Sequence, residues 1–276
     1  MYKLLVLDLD GTLTNSQKEI TPYTRSVLTE VQQQGIRIVL ASGRPLEGVR
    51  PLAEELCLTQ YSGYIMAFNG GLIVECETNR HLCETFLNPS SYPRLYEKCR
   101  GKDFAILTYL DGHIASEDIN NRFVKENAMR NRMPLLQLDN LLQQITFPEP
   151  KWLIVGDADK LSKLEKELQT LFHNEFNIYR SEPYFLEIMP PGIEKANGLK
   201  FITDCLGIQA KDILACGDSY NDISMLRYAG LGIAMANADK EVKEVADYIT
   251  LSNDKDGVAH AVKKFCLQIG NNNNKP

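Results

Sequence analysis

A chain of 276 residues, 44% hydrophobic and 24% charged, is long enough for one large domain or two of ordinary size. A net charge of −6 argues against nucleic acid as the main partner, and no apolar run approaches the length of about 18 residues that a membrane-crossing helix needs. The seven cysteines and four histidines are scattered, with no CxxC or other ligand-like spacing, so the thiols read as small apolar side chains of a reduced protein.

In chain order, Leu4 to Leu7 are apolar without alternation, which predicts a strand buried on both faces of a parallel sheet. The strand starts almost at once, leaving no room for a signal peptide, and a cytoplasmic location is expected. It runs into Asp8-Leu9-Asp10-Gly11-Thr12. Carboxylates so close together either cap the following turn or share a cation or a proton. Thr21-Pro22 predicts a helix start, with Val27, Leu28 and Val31 facing inward and Gly35 closing the helix. Ile36 to Ala41 reads as a second buried strand that ends in Ser42-Gly43-Arg44-Pro45. A helix follows, with Leu46, Val49, Leu52, Ala53 and Leu56 at helical spacing. Tyr64 to Phe68 forms a third strand, and Asn69-Gly70-Gly71 turns it into a return strand, Leu72 to Cys76. The alternation predicts a Rossmann-like, doubly wound α/β sheet.

From about residue 84 the rhythm changes. Helical patterns near 92–100 and 118–130 flank a hairpin from Phe104 to Ala115 that turns at Asp111-Gly112. Lys151 to Val155 is a strand, Asp159 is the expected cap of a helix bearing Leu161, Leu164, Leu168 and Leu171, and Phe176–Arg180 and Phe185–Met189 are further strands. Residues 84–188 are therefore expected to form an α+β unit inserted into a core made of residues 1–83 and 189–276. After Pro190 the alternation returns. Lys195 opens a helix, Ile213 to Cys216 is a buried strand leading to Gly217-Asp218-Ser219-Tyr220-Asn221-Asp222, and helices alternate with strands at Leu231–Met235 and Tyr248–Leu251. The tail Asn271–Pro276 is polar and low in complexity, and no function is assigned to it.

Strands of one parallel sheet bring Asp8, Asp10, Ser42, Asp218, Asn221 and Asp222 to its carboxyl edge, where open α/β sheets bind ligands. At about 4 Å and an effective dielectric near 20, each like-charged pair costs roughly 4 kcal/mol. Such a cluster calls for a divalent cation, and oxygen ligands without His or Cys favour a hard ion such as magnesium. Ser42, Lys195 and helix N-terminal amides could then hold a phosphate group. Taken singly, Ser42 and Asn221 also read as helix caps, Lys195 as a solvated lysine and Asp222 as a first-turn acid.

The motifs Asp8-Leu9-Asp10-Gly11-Thr12, Ser42-Gly43-Arg44, Lys195 and Gly217-Asp218-x-x-Asn221-Asp222 resemble, in that order, the four motifs of the haloacid dehalogenase superfamily. The insert between Ser42 and Lys195 resembles the C2-type cap of its Cof-like (type IIB) subfamily, because the 33 residues between Asp8 and Ser42 leave no room for the other cap type. Ala196 departs from the glycine common in that subfamily. The resemblance implies a magnesium-dependent phosphatase with Asp8 as nucleophile and Asp10 as general acid and base. It implies a metal held by Asp8, by the backbone carbonyl of Asp10 and by Asp218, with Asp222 in support. It further implies a phosphate bound by Ser42, Gly43, Lys195 and Asn221, while Arg44 either touches substrate or pairs with an acid. The implied partner is a small phosphorylated metabolite, with sugar phosphates the leading class, and the protein itself is expected to be a monomer or weak homo-oligomer. A phosphosugar mutase or phosphotransferase, and a phosphorylation-dependent signalling or binding module, are the alternatives.

Overall fold

The computed structural model describes residues 2–101 and 103–267, so the tail Asn271–Pro276 lies outside the described residues. The chain divides into two compact units, one holding the residues up to Cys83 and again from Glu194, the other Glu84–Ile193. The first unit opens with β1 (Leu4–Leu7), whose residues are fully buried. Then come α1 (Pro22–Gln33), β2 (Arg37–Ala41), α2 (Leu46–Glu55), β3 (Tyr64–Ala67), β4 (Leu72–Glu75) and β5 (Arg80–Glu84). Helix α1 starts where sequence places it: Thr21 Oγ1 accepts the Thr24 N–H at 3.0 Å and Pro22 occupies the first turn.

The second unit carries α3 (Tyr92–Cys99), β6 (Phe104–Leu110), β7 (His113–Ser116), α4 (Arg122–Asn131), β8 (Leu135–Gln137) and α5 (Leu141–Gln144). It continues with β9 (Trp152–Gly156), α6 (Ala158–Leu171), β10 (Asn177–Glu182) and β11 (Phe185–Met189). Its six strands lie in the order β10-β11-β9-β6-β7-β8. Alternation along β9 serves two cores: Trp152 and Ile154 pack with Tyr92 of α3 and Leu161 of α6, while Leu153 and Val155 pack with Val124 and Ala128 of α4. The first unit resumes with α7 (Lys195–Leu206), β12 (Ile213–Gly217), α8 (Ile223–Tyr228), β13 (Leu231–Ala234), α9 (Lys240–Val245), β14 (Tyr248–Ile249) and α10 (Gly257–Val262).

The core sheet runs β14-β13-β12-β1-β2-β3-β4-β5. From β14 to β3 every neighbouring pair is parallel, and β4 turns back antiparallel to β3. Three details differ from the sequence expectation. The strand expected over Tyr64–Phe68 stops at Ala67, because Phe68 (φ 49°) and Asn69 (φ 55°) are left-handed and cannot continue a ladder. Asp157, rather than Asp159, caps α6: its carboxylate accepts the N–H groups of Asp159 and Lys160, and Asp159 lies in the first turn. The strand Phe185–Met189 is as expected, and the compact second unit runs on to Ile193 rather than ending at 188. Strands β5 and β8 carried no recognised signal; β5 is largely polar and β8 is only three residues long.

One packing detail sets where α7 begins. A Cβ on Gly198 would lie 2.4 Å from Met66 Sδ and 2.9 Å from the Gly70 Cα, so the helix reaches the end of β3 only with glycine there. Gly198→Ala is expected to destabilise the protein by about 1–3 kcal/mol through overpacking, although alanine is the better helix former by roughly 1 kcal/mol. Urea denaturation followed by circular dichroism checks this; an unchanged or raised midpoint would mean that the contact yields.

Candidate active site

Parallel register carries the site residues to one edge. Leu7 pairs with Cys216, so the residues after β1 and β12 emerge side by side, and the Asp8 N–H donates to the Cys216 carbonyl at 3.1 Å. The loop after β1 then folds tightly, with the Leu13 N–H on the Asp8 carbonyl at 3.2 Å and the Thr14 N–H on that of Leu9 at 2.9 Å. Gly11, at φ +84°, sits where a Cβ would fall 2.3 Å from Asp218 Oδ2. Glycine thus lets this loop close on the β12 loop, and Thr12 Oγ1 completes the contact by donating to Asp218 Oδ1 at 2.7 Å.

Lys195, at the first turn of α7, is completely buried. Its Nζ donates to Asp8 Oδ1 and to Asp222 Oδ1, each at 2.6 Å. Asp222 is also fully buried, and its Oδ2 accepts the N–H groups of Asp218 and Ser219 at 2.9 Å each. The Ser219 contact belongs to a capping box that starts the turn Tyr220–Asp222. Asp222 therefore orients both the lysine and the Asp218 loop. Asp8, Asp218 and Asp222 each offer a carboxylate oxygen within 4.8 Å of the others.

Three carboxylates face one ammonium here, and the imbalance is felt. Burial, then the neighbouring Asp222, push the Asp8 carboxyl well above its usual range against the pull of Lys195. The same two causes raise Asp218 to about 6, with Thr12 opposing. Lys195 is raised as well: burial alone would lower it, but Asp222 and Asp8 hold it above an ordinary lysine.

Asp10 lies in a different electrostatic setting. Arg44 grips it bidentately, Nε on Oδ2 at 2.7 Å and Nη2 on Oδ1 at 2.6 Å, and Lys18 Nζ adds a bond of 2.7 Å to Oδ1. Burial works against ionisation, yet these two cations hold Asp10 down at about 2. The third guanidinium nitrogen, Nη1, donates to the Gly48 carbonyl at 3.1 Å. Of the two alternatives for Arg44, the arrangement present is pairing with an acid, and that acid comes from the opening loop. The Asp10 side chain stands outside the carboxylate trio.

A third group joins the remaining candidates. Ser42 is buried, donates its N–H to the Met66 carbonyl at 2.8 Å and accepts the Arg44 N–H on Oγ at 3.1 Å. Asn221 Nδ2 donates to Asn69 Oδ1 at 2.9 Å, and Gly43 lies against the same Asn69 amide.

The sequence profile of the haloacid dehalogenase-like hydrolases matches residues 5–262. The chain belongs to that family. Among relatives of this haloacid dehalogenase-like hydrolase are two proteins of Bacillus subtilis named as 5-amino-6-(5-phospho-D-ribitylamino)uracil phosphatases. YcsE is 33% identical over 269 residues, 96% of each chain, and YwtE is 29% identical over 287 residues, 95% of this chain and 98% of its own. A crystal structure of a haloacid dehalogenase-like hydrolase from Bacteroides thetaiotaomicron superposes with a TM-score of 0.92 at 46% identity, covering 96% of this chain and 99% of that one. No helix among the described residues of this hydrolase is long and apolar enough to cross a membrane.

Sequence reasoning missed three contributors to the site: Thr12, Lys18 and Asn69. Thr12 was visible only as part of a motif, Lys18 as one charge in a polar loop, and Asn69 as a turn residue. Asn69 did carry a usable signal, since it too follows a buried parallel strand at the same edge. Replacing Arg44 by Met should raise the Asp10 pKa from about 2 into the ordinary carboxylate range, because burial persists while the bidentate cation is lost. Carbon-13 NMR titration of the Asp10 carboxyl reads this directly; an unmoved midpoint would assign the depression to Lys18 alone.

Proposed function

We propose that this hydrolase is a phosphatase that cleaves a small phosphomonoester, with sugar phosphates as the leading class, through an aspartyl-phosphate on Asp8. The observation that carries this is the buried bridge of Lys195 between Asp8 and Asp222, beside Asp218. It sets a nucleophilic carboxylate, a cation and an acidic pocket on one strand-end edge. The named substrates of YcsE and YwtE, which bear a phosphate on a ribityl chain, support a sugar-like phosphomonoester. The second unit holds none of these residues and is the C2-type cap of this proposal.

Asp8 Oδ1 is tied to Lys195, so Oδ2 is the oxygen that attacks phosphorus. A bond forms from Oδ2 to phosphorus as the bond to the alkoxide leaving group breaks, and the alkoxide takes a proton from Asp10. Water then attacks the same phosphorus, passes its proton to Asp10, and frees inorganic phosphate and Asp8. Held at about 2, Asp10 is a carboxylate at neutral pH, the form that accepts a proton from water. Giving a proton to the alkoxide requires Asp10 to be protonated clear of Arg44 first. Lys195, the Ser42 hydroxyl, the Gly43 backbone and the Asn221 amide supply donors for the phosphoryl oxygens.

The donor set suits magnesium. All three clustered side chains are carboxylates, none is His or Cys, and the raised proton affinities of Asp8 and Asp218 mark negative charge that Lys195 does not balance. Asp8, the Asp10 carbonyl and Asp218 would hold the ion, with Asp222 in support. When bound, magnesium supplies the positive charge that lets an anionic phosphoester approach an anionic nucleophile.

Asp8→Asn should leave circular dichroism unchanged and cut phosphate release by more than about a thousandfold, the usual scale for losing a nucleophile. Residual activity above that level in purified protein would remove Asp8 from the covalent role. Magnesium should raise the melting temperature of the wild type, because a ligand that binds only the native state stabilises it, and should fail to do so in Asp218→Asn. An equal rise in both proteins would place the ion elsewhere.

A further inference from the structure

The residues that leave β3 turn through a left-handed kink whose first residue is a phenylalanine. Phe68 and Asn69 are both left-handed, at φ 49° and 55°, a region that asparagine tolerates and a bulky aromatic avoids. The kink is stitched to the loop after β2. The Phe68 N–H donates to the Arg44 carbonyl at 3.0 Å and the Asn69 N–H to the Ser42 carbonyl at 2.9 Å. Strained backbone of this kind persists only where its surroundings over-determine it, and it gathers at functional sites.

The kink turns the Asn69 side chain inward, where the residue is 3% exposed. Its Oδ1 accepts Asn221 Nδ2 at 2.9 Å, although β3 is separated from β12 by β2 and β1. The same amide closes on Gly43, where a Cβ would sit 3.3 Å from both Nδ2 and Oδ1 of Asn69. One buried amide thus touches the Ser42–Arg44 loop with its backbone and Asn221 with its side chain.

We infer that Asn69 is a positioning residue that sets the Asn221 amide and the Ser42–Arg44 loop in mutual register for a phosphoryl group, an inference that rests on the phosphatase proposal. Its own N–H is spent on Ser42, and it acts through Asn221 rather than on substrate. Accepting on Oδ1 fixes which way the Asn221 amide faces: one N–H points to Asn69, and the other is left for a ligand oxygen.

Asn69→Gly tests this, since glycine tolerates the left-handed backbone and keeps the N–H to Ser42 while removing only the side chain. The melting temperature should stay close to that of the wild type, and a crystal structure of the variant should show the Asn221 amide rotated away. With p-nitrophenyl phosphate as substrate and inorganic phosphate as inhibitor, KM and the inhibition constant should each rise about tenfold, the scale of one misdirected hydrogen bond. The kcat should change less than about threefold. In an Asn221→Ala background, Asn69→Gly should cost less than about twofold further, because coupled residues are not additive. Asn69→Asp, which keeps an acceptor for Asn221 Nδ2, should retain the wild-type Asn221 orientation. An unrotated Asn221 in Asn69→Gly, a rotated one in Asn69→Asp, or penalties that multiply in the double variant would each overturn the inference. A wild type that releases no phosphate from any phosphomonoester sinks the phosphatase proposal instead, and the Asn221 orientation still decides the role of Asn69.

Discussion

An ammonium group shut away from water is tolerable only if its counter-charges are fixed around it, because the desolvation cost of an unpaired buried ion runs to several kcal/mol. Lys195 meets that condition with Asp8 and Asp222, each at 2.6 Å. Much of the core follows from holding these three groups together. Strands β1 and β12 must be neighbours in a register that pairs Leu7 with Cys216, or Asp8 and the 218–222 turn would not share an edge. Helix α7 must begin at Lys195 and lie close to the end of β3, which Gly198 and Gly70 permit. Asp222 must reach back over the N–H groups of Asp218 and Ser219, which fixes the turn in which it sits.

Two aspartates separated by one leucine have opposite electrostatic fates. Asp8 is buried among like charges and is pushed up, whereas Asp10 lies between Arg44 and Lys18 and is held down. Environment rather than residue type sets the proton affinity of each carboxyl, burial and like charge raising one and paired cations lowering the other. The site therefore has an anionic half around Asp218 and a cation-rich half around Asp10, joined by the short loop that Gly11 and Thr12 close onto Asp218.

The left-handed pair at Phe68–Asn69 belongs to the same economy of loops. A strand that simply continued would place Asn69 in the ladder and leave Asn221 without its acceptor. The turn away from β3 is held by two main-chain bonds to the Ser42–Arg44 loop, so the order of that loop and the strain of the kink support each other.

Read alone, the sequence determined whatever depends on residues adjacent in the chain. The unbroken apolar run Leu4–Leu7 announced a buried strand and Thr21-Pro22 a helix start, while the family came from the resemblance of the motifs at Asp8, Ser42, Lys195 and Asp218 rather than from local chemistry. Local chemistry is enough for the strand and the helix start, since strand burial, capping and turn formation are set within a few residues. Tertiary structure alone decided the partners. Arg44 could have met substrate or an acid, and only the fold, which holds its guanidinium on the Gly48 carbonyl of α2, delivered it to Asp10. Asn69 looked like one residue of a turn until β12 brought Asn221 within 2.9 Å. Asp222 looked like a helix-start acid until α7 buried Lys195 beside it. In each case the deciding contact joins residues far apart in sequence, and strand register, which no short window encodes, brings them together.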